Sequence, residues 1–151
     1  MQIVEYDLEK PNRLVKCNSY DYPDIAFDNP NSIFEMFNKV FRLEFRAEEF
    51  VFAIGLTTKC GLLGIFNVSH GTVRAALVSV REIMMRLLLC GASGCVVVHN
   101  HPSGDVTASV DDQKTAKDSK AASDLLGIQL FDFIILSDTR YLSFKEHYQT
   151  W

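Results

Sequence analysis

Several things are scarce in this chain, and each scarcity removes a class of function. No apolar run approaches the ~20 residues that a bilayer-spanning helix needs, and the opening Met1-Gln2-Ile3-Val4-Glu5-Tyr6-Asp7 carries acids where an export signal would need a basic segment. A cytoplasmic protein without a membrane partner is therefore expected. The four cysteines, Cys17, Cys60, Cys90 and Cys95, form no Cys-x-x-Cys pair, which predicts reduced, structural thiols. Basic residues are outnumbered, 15 Lys and Arg against 19 Asp and Glu for a net charge of −4. That balance argues against a generic grip on nucleic acid, which needs clustered cations to displace counterions. A Gly-x-Ser-x-Gly elbow is also missing, so a serine hydrolase built on Ser103 or Ser109 with a nearby histidine lacks its usual frame.

What is present is an ordinary globular composition, 48% hydrophobic and 23% charged over 151 residues. A chain of this length forms one domain and buries close to ~70% of its unfolded surface. Residues 1–30 hold Pro11, Asn12, Pro23, Asp28, Asn29 and Pro30 around short β-like pieces such as Ile3-Val4-Glu5-Tyr6. They read as an N-terminal arm or edge strand plus loop, ahead of a domain over 31–151. Ser32 with Glu35 forms a capping box after Pro30 and predicts a helix with Ile33, Phe34, Phe37, Val40, Phe41 and Phe45 on one core-facing side. Residues 50–56 and 62–68 read as buried strands, joined antiparallel by the hairpin-length loop 57–61. A helix over 80–90 follows, stopped by Gly91 and Gly94, and then a buried strand over 95–98. Residues 109–126 form a polar-faced helix capped by Gly127, 128–136 a strand, and 140–144 a short edge strand. This alternation predicts an α/β fold, a mixed β-sheet flanked by helices.

The residues that carry chemistry sit at the end of the strand over 95–98. Val96-Val97-Val98 runs into His99-Asn100-His101-Pro102-Ser103-Gly104, with Ser109 and Asp112 beyond. Strand side chains at i and i+2 share a face with Cα atoms roughly 6.5 Å apart, so His99 and His101 can converge on one ion. Pro102 cannot continue a central strand and puts the pair at a strand end. Asp112 offers a hard anionic oxygen. Two histidines and one carboxylate leave the fourth position of a tetrahedral zinc site open to water, the catalytic rather than the closed pattern. Ser109-x-x-Asp112 also reads as a capping box, and an aspartate in a first helical turn can cap and coordinate together.

His99-x-His101, Ser109 and Asp112 resemble, in residue type and spacing, the JAMM motif of the JAB/MPN metal-dependent hydrolases. The longer string from His99 to Asp105, with Asp112 and Thr115, is similar to the RadC-like JAB proteins of bacteria. Further matches lie at Ser69-His70-Gly71-Thr72, Val78-Ser79-Val80-Arg81-Glu82-Ile83, Leu126-Gly127-Ile128, Asp132 and Tyr141-Leu142-Ser143-Phe144, so the likeness covers roughly residues 45 to 146. It departs from the family at Val80 and Ala108, where proline is usual, and at Phe133, where histidine is common.

The resemblance implies a cytidine-deaminase-like JAB/MPN fold and one Zn²⁺ per chain, held by His99, His101 and Asp112. It also implies hydrolysis of a peptide or isopeptide amide in a peptide or protein substrate by a metal-activated water. It supplies a general base, a glutamate opening the strand about twenty residues before the Gly-Thr element, which falls at Glu49 with Glu48 as its immediate rival. Ser109 takes the place of the motif serine that stabilises the oxyanion, and Glu82 reads as structural. Full-length family members carry an N-terminal helical DNA-binding module, and residues 1–44 are neither long nor basic enough to be one. A DNA-associated accessory role, in repair or on a mobile element, is the second reading, and a noncatalytic binding protein of the same fold is the third. A homodimer is compatible with the sequence, although no residue demands it.

Overall fold

A computed structural model describes residues 1–10, 12–71, 79–148 and 151. Pro11, Thr72 and Val78, named above, lie outside the described residues. Two strands, β1 (Gln2–Glu9) and β2 (Arg13–Asp21), precede helix α1 (Pro30–Val40) and a short 3-10 turn, Leu43–Phe45. Strands β3 (Glu49–Leu56) and β4 (Leu62–Gly71) lead to α2 (Val80–Leu89), β5 (Gly94–Asn100) and α3 (Val110–Leu126). Then come β6 (Gln129–Leu136), β7 (Tyr141–Ser143) and the single turn α4 (Phe144–His147).

The run Val96-Val97-Val98 makes β5 a strand that cannot face water on either side, and all seven of its residues are buried. It lies inside one seven-stranded sheet of order β2-β1-β4-β3-β5-β6-β7. The β1/β4 and β5/β6 pairs are parallel and the others antiparallel, so the sheet is mixed as expected. Alternation splits the core into two layers. Phe52, Ile54, Val96, Val98 and Ile134 pack under Ile33, Met36 and Phe37 of α1, while Val51, Ala53, Val97, Phe133 and Ile135 pack under Ile83 and Leu87 of α2 and Ala116 of α3. Gly94 starts β5 because a Cβ there would meet the Phe131 ring at 2.4 Å. Gly127, at φ +70°, closes α3 in the left-handed cap its sequence position predicted.

Three local expectations are corrected. The cap of α1 is Asn29, whose side chain accepts from the amides of Asn31 and Ser32, with Pro30 as the first helical residue. Ser32 lies inside the helix, and Glu35 accepts instead from the Asn31 side chain at 3.0 Å. The apolar face also ends early: Arg42 adopts a left-handed backbone, φ 50°, which breaks the helix and leaves Phe45 68% exposed with the Arg42 guanidinium 4.6 Å above its ring. Finally, the N-terminal segment does supply an edge strand, β2, but as half of a hairpin in place of an arm: β1 and β2 are strands of eight and nine residues, and β1 pairs in parallel with β4 through Glu5–Ile65 and Tyr6–Phe66.

Glu82 accepts from Arg81 and Arg86 and is a structural ion-pair partner, as the sequence suggested. All four cysteines are free. Among the described residues no helix is long and apolar enough to cross a membrane.

Candidate metal centre

The C-terminal end of β5, from which a β-α-β crossover through α3 leads to the parallel β6, is the usual ligand position in such sheets. His99 is the penultimate residue of β5. His101 lies just past its end, and its backbone N–H still donates to Leu136 O of β6 at 2.7 Å. Both imidazoles point to the α3 side with ring centroids 4.8 Å apart. Each uses Nδ1 to grip a carbonyl, His99 to Phe50 O at 3.0 Å and His101 to Asp105 O at 2.7 Å. A carbonyl only accepts, so the Nδ1 proton is fixed and the neutral ring leaves Nε2 as a free lone pair.

Asp112 sits in the first turn of α3. Its amide donates to Ser109 Oγ at 3.1 Å, while its Oδ2 accepts from the Ser109 amide at 2.8 Å and the Ser109 hydroxyl at 2.6 Å. That is the capping box read from the sequence, and the carboxylate keeps a face toward the histidines. His99 Nε2 lies 3.5 Å from Asp112 Oδ1, and His101 Nε2 lies 3.4 Å from Oδ2. One ligand atom from each of the three residues falls within 4.8 Å of the others, so the trio could hold a metal ion.

Glu49 reaches the same place from another strand. The antiparallel register pairs Val51 with His99, and stepping two residues along β3 puts the Glu49 side chain on the His101 side of the sheet. Its Oε2 lies 3.9 Å from His99 Nε2. Glu48 instead pairs with the exposed His70 ring. The structure therefore brings together all five residues singled out in the sequence: Glu49, His99, His101, Ser109 and Asp112.

One further contact went unread. The side chain of Asn100 faces away from the histidines and binds the β3 backbone on both sides of Glu49, as Phe50 N–H to Oδ1 at 2.6 Å and Nδ2 to Glu48 O at 3.0 Å. Its signal was a second polar residue, after His99, at the end of the buried run Val96-Val97-Val98. At Phe133 the departure from the family pattern is taken up by packing, since the ring is 1% exposed and meets Phe144 edge-on at 5.1 Å.

Burial and charge divide the two histidines. Burial lowers the His99 pKa against the help of its bond to Phe50 O. Burial acts the same way on His101, but its hydrogen bonds to Asp112 and Asp105 O prevail and raise it above 6.5. Burial would also raise Asp112; the bonds from His101 and Ser109 outweigh it and hold the carboxyl at about 2. Just above pH 6.5 the metal-free site thus keeps a proton on His101, shared with an ionised Asp112, while His99 is neutral. A cation must displace that proton. Between the His99 and His101 pKa values, uptake is expected to release close to one proton, with affinity falling about tenfold per pH unit on acidification; above the His101 pKa it releases progressively fewer, and below the His99 pKa a second proton must leave. Calorimetry in buffers of differing protonation enthalpy measures the release, and uptake with no proton exchange near pH 6.5 would contradict this charge distribution.

The chain is similar to known proteins over most of its length. Residues 27–149 match the pattern of the RadC-like JAB domain. A UPF0758 protein of Thermotoga maritima is 39% identical over 98 residues, 65% of this chain and 44% of its own length. UPF0758 proteins of Geotalea uraniireducens and Carboxydothermus hydrogenoformans are each 36% identical, over 120 and 121 residues, 80% of this chain and 52% and 53% of theirs. The chain thus spans about half the length of the curated relatives it matches. With the domain pattern matched over most of its residues and the histidines, serine and aspartate meeting at one strand end, this chain belongs to the RadC-like JAB domain family.

Proposed function

We propose that the chain is a metal-dependent hydrolase that cleaves an amide, a peptide or isopeptide bond in a peptide or protein, with Zn²⁺ as its cation. The observation that carries this reading is the convergence of two imidazole Nε2 atoms and the Asp112 carboxylate beside a fourth group, the Glu49 carboxylate, 3.9 Å from His99 Nε2. The donor set suits the ion: two imidazoles with protons fixed on Nδ1 and one carboxylate make a three-ligand nitrogen and oxygen site with a position left for water. When bound, the cation supplies a Lewis acid for the carbonyl and lowers the pKa of water towards ~7.

The chain's own groups account for the remaining steps. Glu49 Oε2 takes a proton from the attacking water and passes it to the leaving amine nitrogen. Ser109 is committed to its cap, with amide and hydroxyl both on Asp112 Oδ2. The amide keeps that oxygen in place when the hydroxyl turns, so Ser109 Oγ can donate to the carbonyl oxygen as it gains charge. His99 and His101 are held in one orientation by the carbonyls of Phe50 and Asp105.

The test is a chelated protein given back Zn²⁺ in steps and assayed on a quenched-fluorescent peptide library and on isopeptide-linked peptides. Cleavage is expected only after reloading, levelling off near one equivalent. A protein that takes up no divalent cation overturns the reading, and one that binds the ion yet cuts none of these probes belongs to the noncatalytic alternative.

A further inference from the structure

Amide hydrolysis assigns Asn100 no task, yet it is 2% exposed and makes two directed hydrogen bonds. Its place follows from the sheet. The β3–β5 register ends at the Val51–His99 pair. Beyond it His101 turns its backbone N–H to Leu136 of β6. On this side, then, β3 loses its backbone partner just where Glu49 must be held, while β4 continues to pair on the other side through His70 and Gly71.

Side chains from β5 replace the missing ladder. Phe50 C=O accepts from His99 Nδ1, Phe50 N–H donates to Asn100 Oδ1, and Glu48 C=O accepts from Asn100 Nδ2. The carboxamide can make both of its bonds in one orientation only, because a flip would set its NH₂ against an N–H and its oxygen against a carbonyl. A side chain with one donor and one acceptor at fixed separation thus imitates the next peptide unit of the ladder, and the residue it brackets is Glu49.

We infer that Asn100 is a positioning residue: by clamping the peptide groups on either side of Glu49 it fixes the direction in which that carboxylate leaves β3 and keeps it over the histidine pair. This rests on the reading above, in which Glu49 serves a bound cation. The role requires a carboxamide. Aspartate has the same shape and keeps the acceptor for Phe50 N–H, but it sets an oxygen against the Glu48 carbonyl; alanine removes both bonds.

Cobalt(II) uptake provides a test that needs no substrate. Wild type, Asn100→Ala, Asn100→Asp and Glu49→Gln are loaded with Co²⁺, and affinity, the visible d–d absorption and deuterium exchange at the Phe50 amide are measured on each. The Asn100 variants are expected to bind Co²⁺ within about tenfold of wild type, the low end of what a supporting residue costs. They are also expected to lose slow exchange at Phe50 and to shift the d–d band toward the spectrum of Glu49→Gln. A destabilised alanine variant leaves the answer to the isosteric aspartate. A wild-type band in the folded Asn100 variants, with Glu49→Gln displaced, overturns the inference alone. Failure of wild type to bind Co²⁺, or identical spectra for wild type and Glu49→Gln, overturns the underlying reading of the site and this inference with it.

Discussion

Alanine at His101 is expected to empty the site: wild type carries about one equivalent of divalent cation per chain and His101→Ala close to none. The argument is one of ligand count. Among the described residues the cluster offers one atom each from His99, His101 and Asp112, and a divalent ion held by the two that remain loses a third of its protein donors. Replacing a residue that merely supports a ligand costs 10–100-fold in affinity, so removing the ligand itself is expected to cost more than ~100-fold. Asp112 also loses its contact with His101 Nε2 at 3.4 Å, although both Ser109 bonds keep its carboxylate in place.

Elemental analysis of protein purified with added Zn²⁺ reads the stoichiometry, and thermal unfolding supplies an independent check. A ligand present at a hundred times its Kd stabilises the native state by ~2.7 kcal/mol. Added Zn²⁺ should therefore raise the Tm of wild type and leave that of His101→Ala unchanged. A variant that retains a full equivalent with wild-type affinity would place the ion elsewhere and remove the site assignment.

How far the sequence carried depended on the range of the interactions concerned. The i, i+2 histidines at a strand end and the Ser109–Asp112 cap are local patterns, and the structure contains both. The parallel pairing of β1 with β4 joins Glu5 to Ile65, a contact that no local pattern encodes, so the N-terminal segment read as an arm or edge strand plus loop and not as a two-stranded hairpin built into the sheet. The end of α1 was hidden for a different reason. It is set by a left-handed Arg42 with no glycine or proline to announce it, and the apolar periodicity ran on to Phe45. Asn29 outcompeted Ser32 as cap because Pro30 is preorganised for the first helical position. Glu49 lay between these cases. Its distance from Gly71 came through the family resemblance, and its direction follows from β3 alternation once the Val51–His99 register is known.

That direction leads to the second large effect, the different consequences of removing neighbouring carboxylates. Glu49→Gln keeps the size and shape of the side chain 3.9 Å from His99 Nε2 but removes its capacity to accept a proton. Hydrolysis is expected to fall by ~10²–10⁴, the range for loss of a general base, while Zn²⁺ stoichiometry stays at the wild-type level because none of the three candidate ligands is touched. Glu48→Gln should change neither quantity appreciably. Its partner is the half-exposed His70, and surface pairs of this kind are worth at most ~1 kcal/mol. The pair of variants measures register as well as chemistry: one residue of slip in β3 would exchange the faces of Glu48 and Glu49 and move the loss of activity to Glu48→Gln. Loss of activity together with loss of metal in Glu49→Gln would instead make Glu49 a ligand. Activity lost, metal retained and Glu48→Gln silent is the outcome that the Val51–His99 pairing requires.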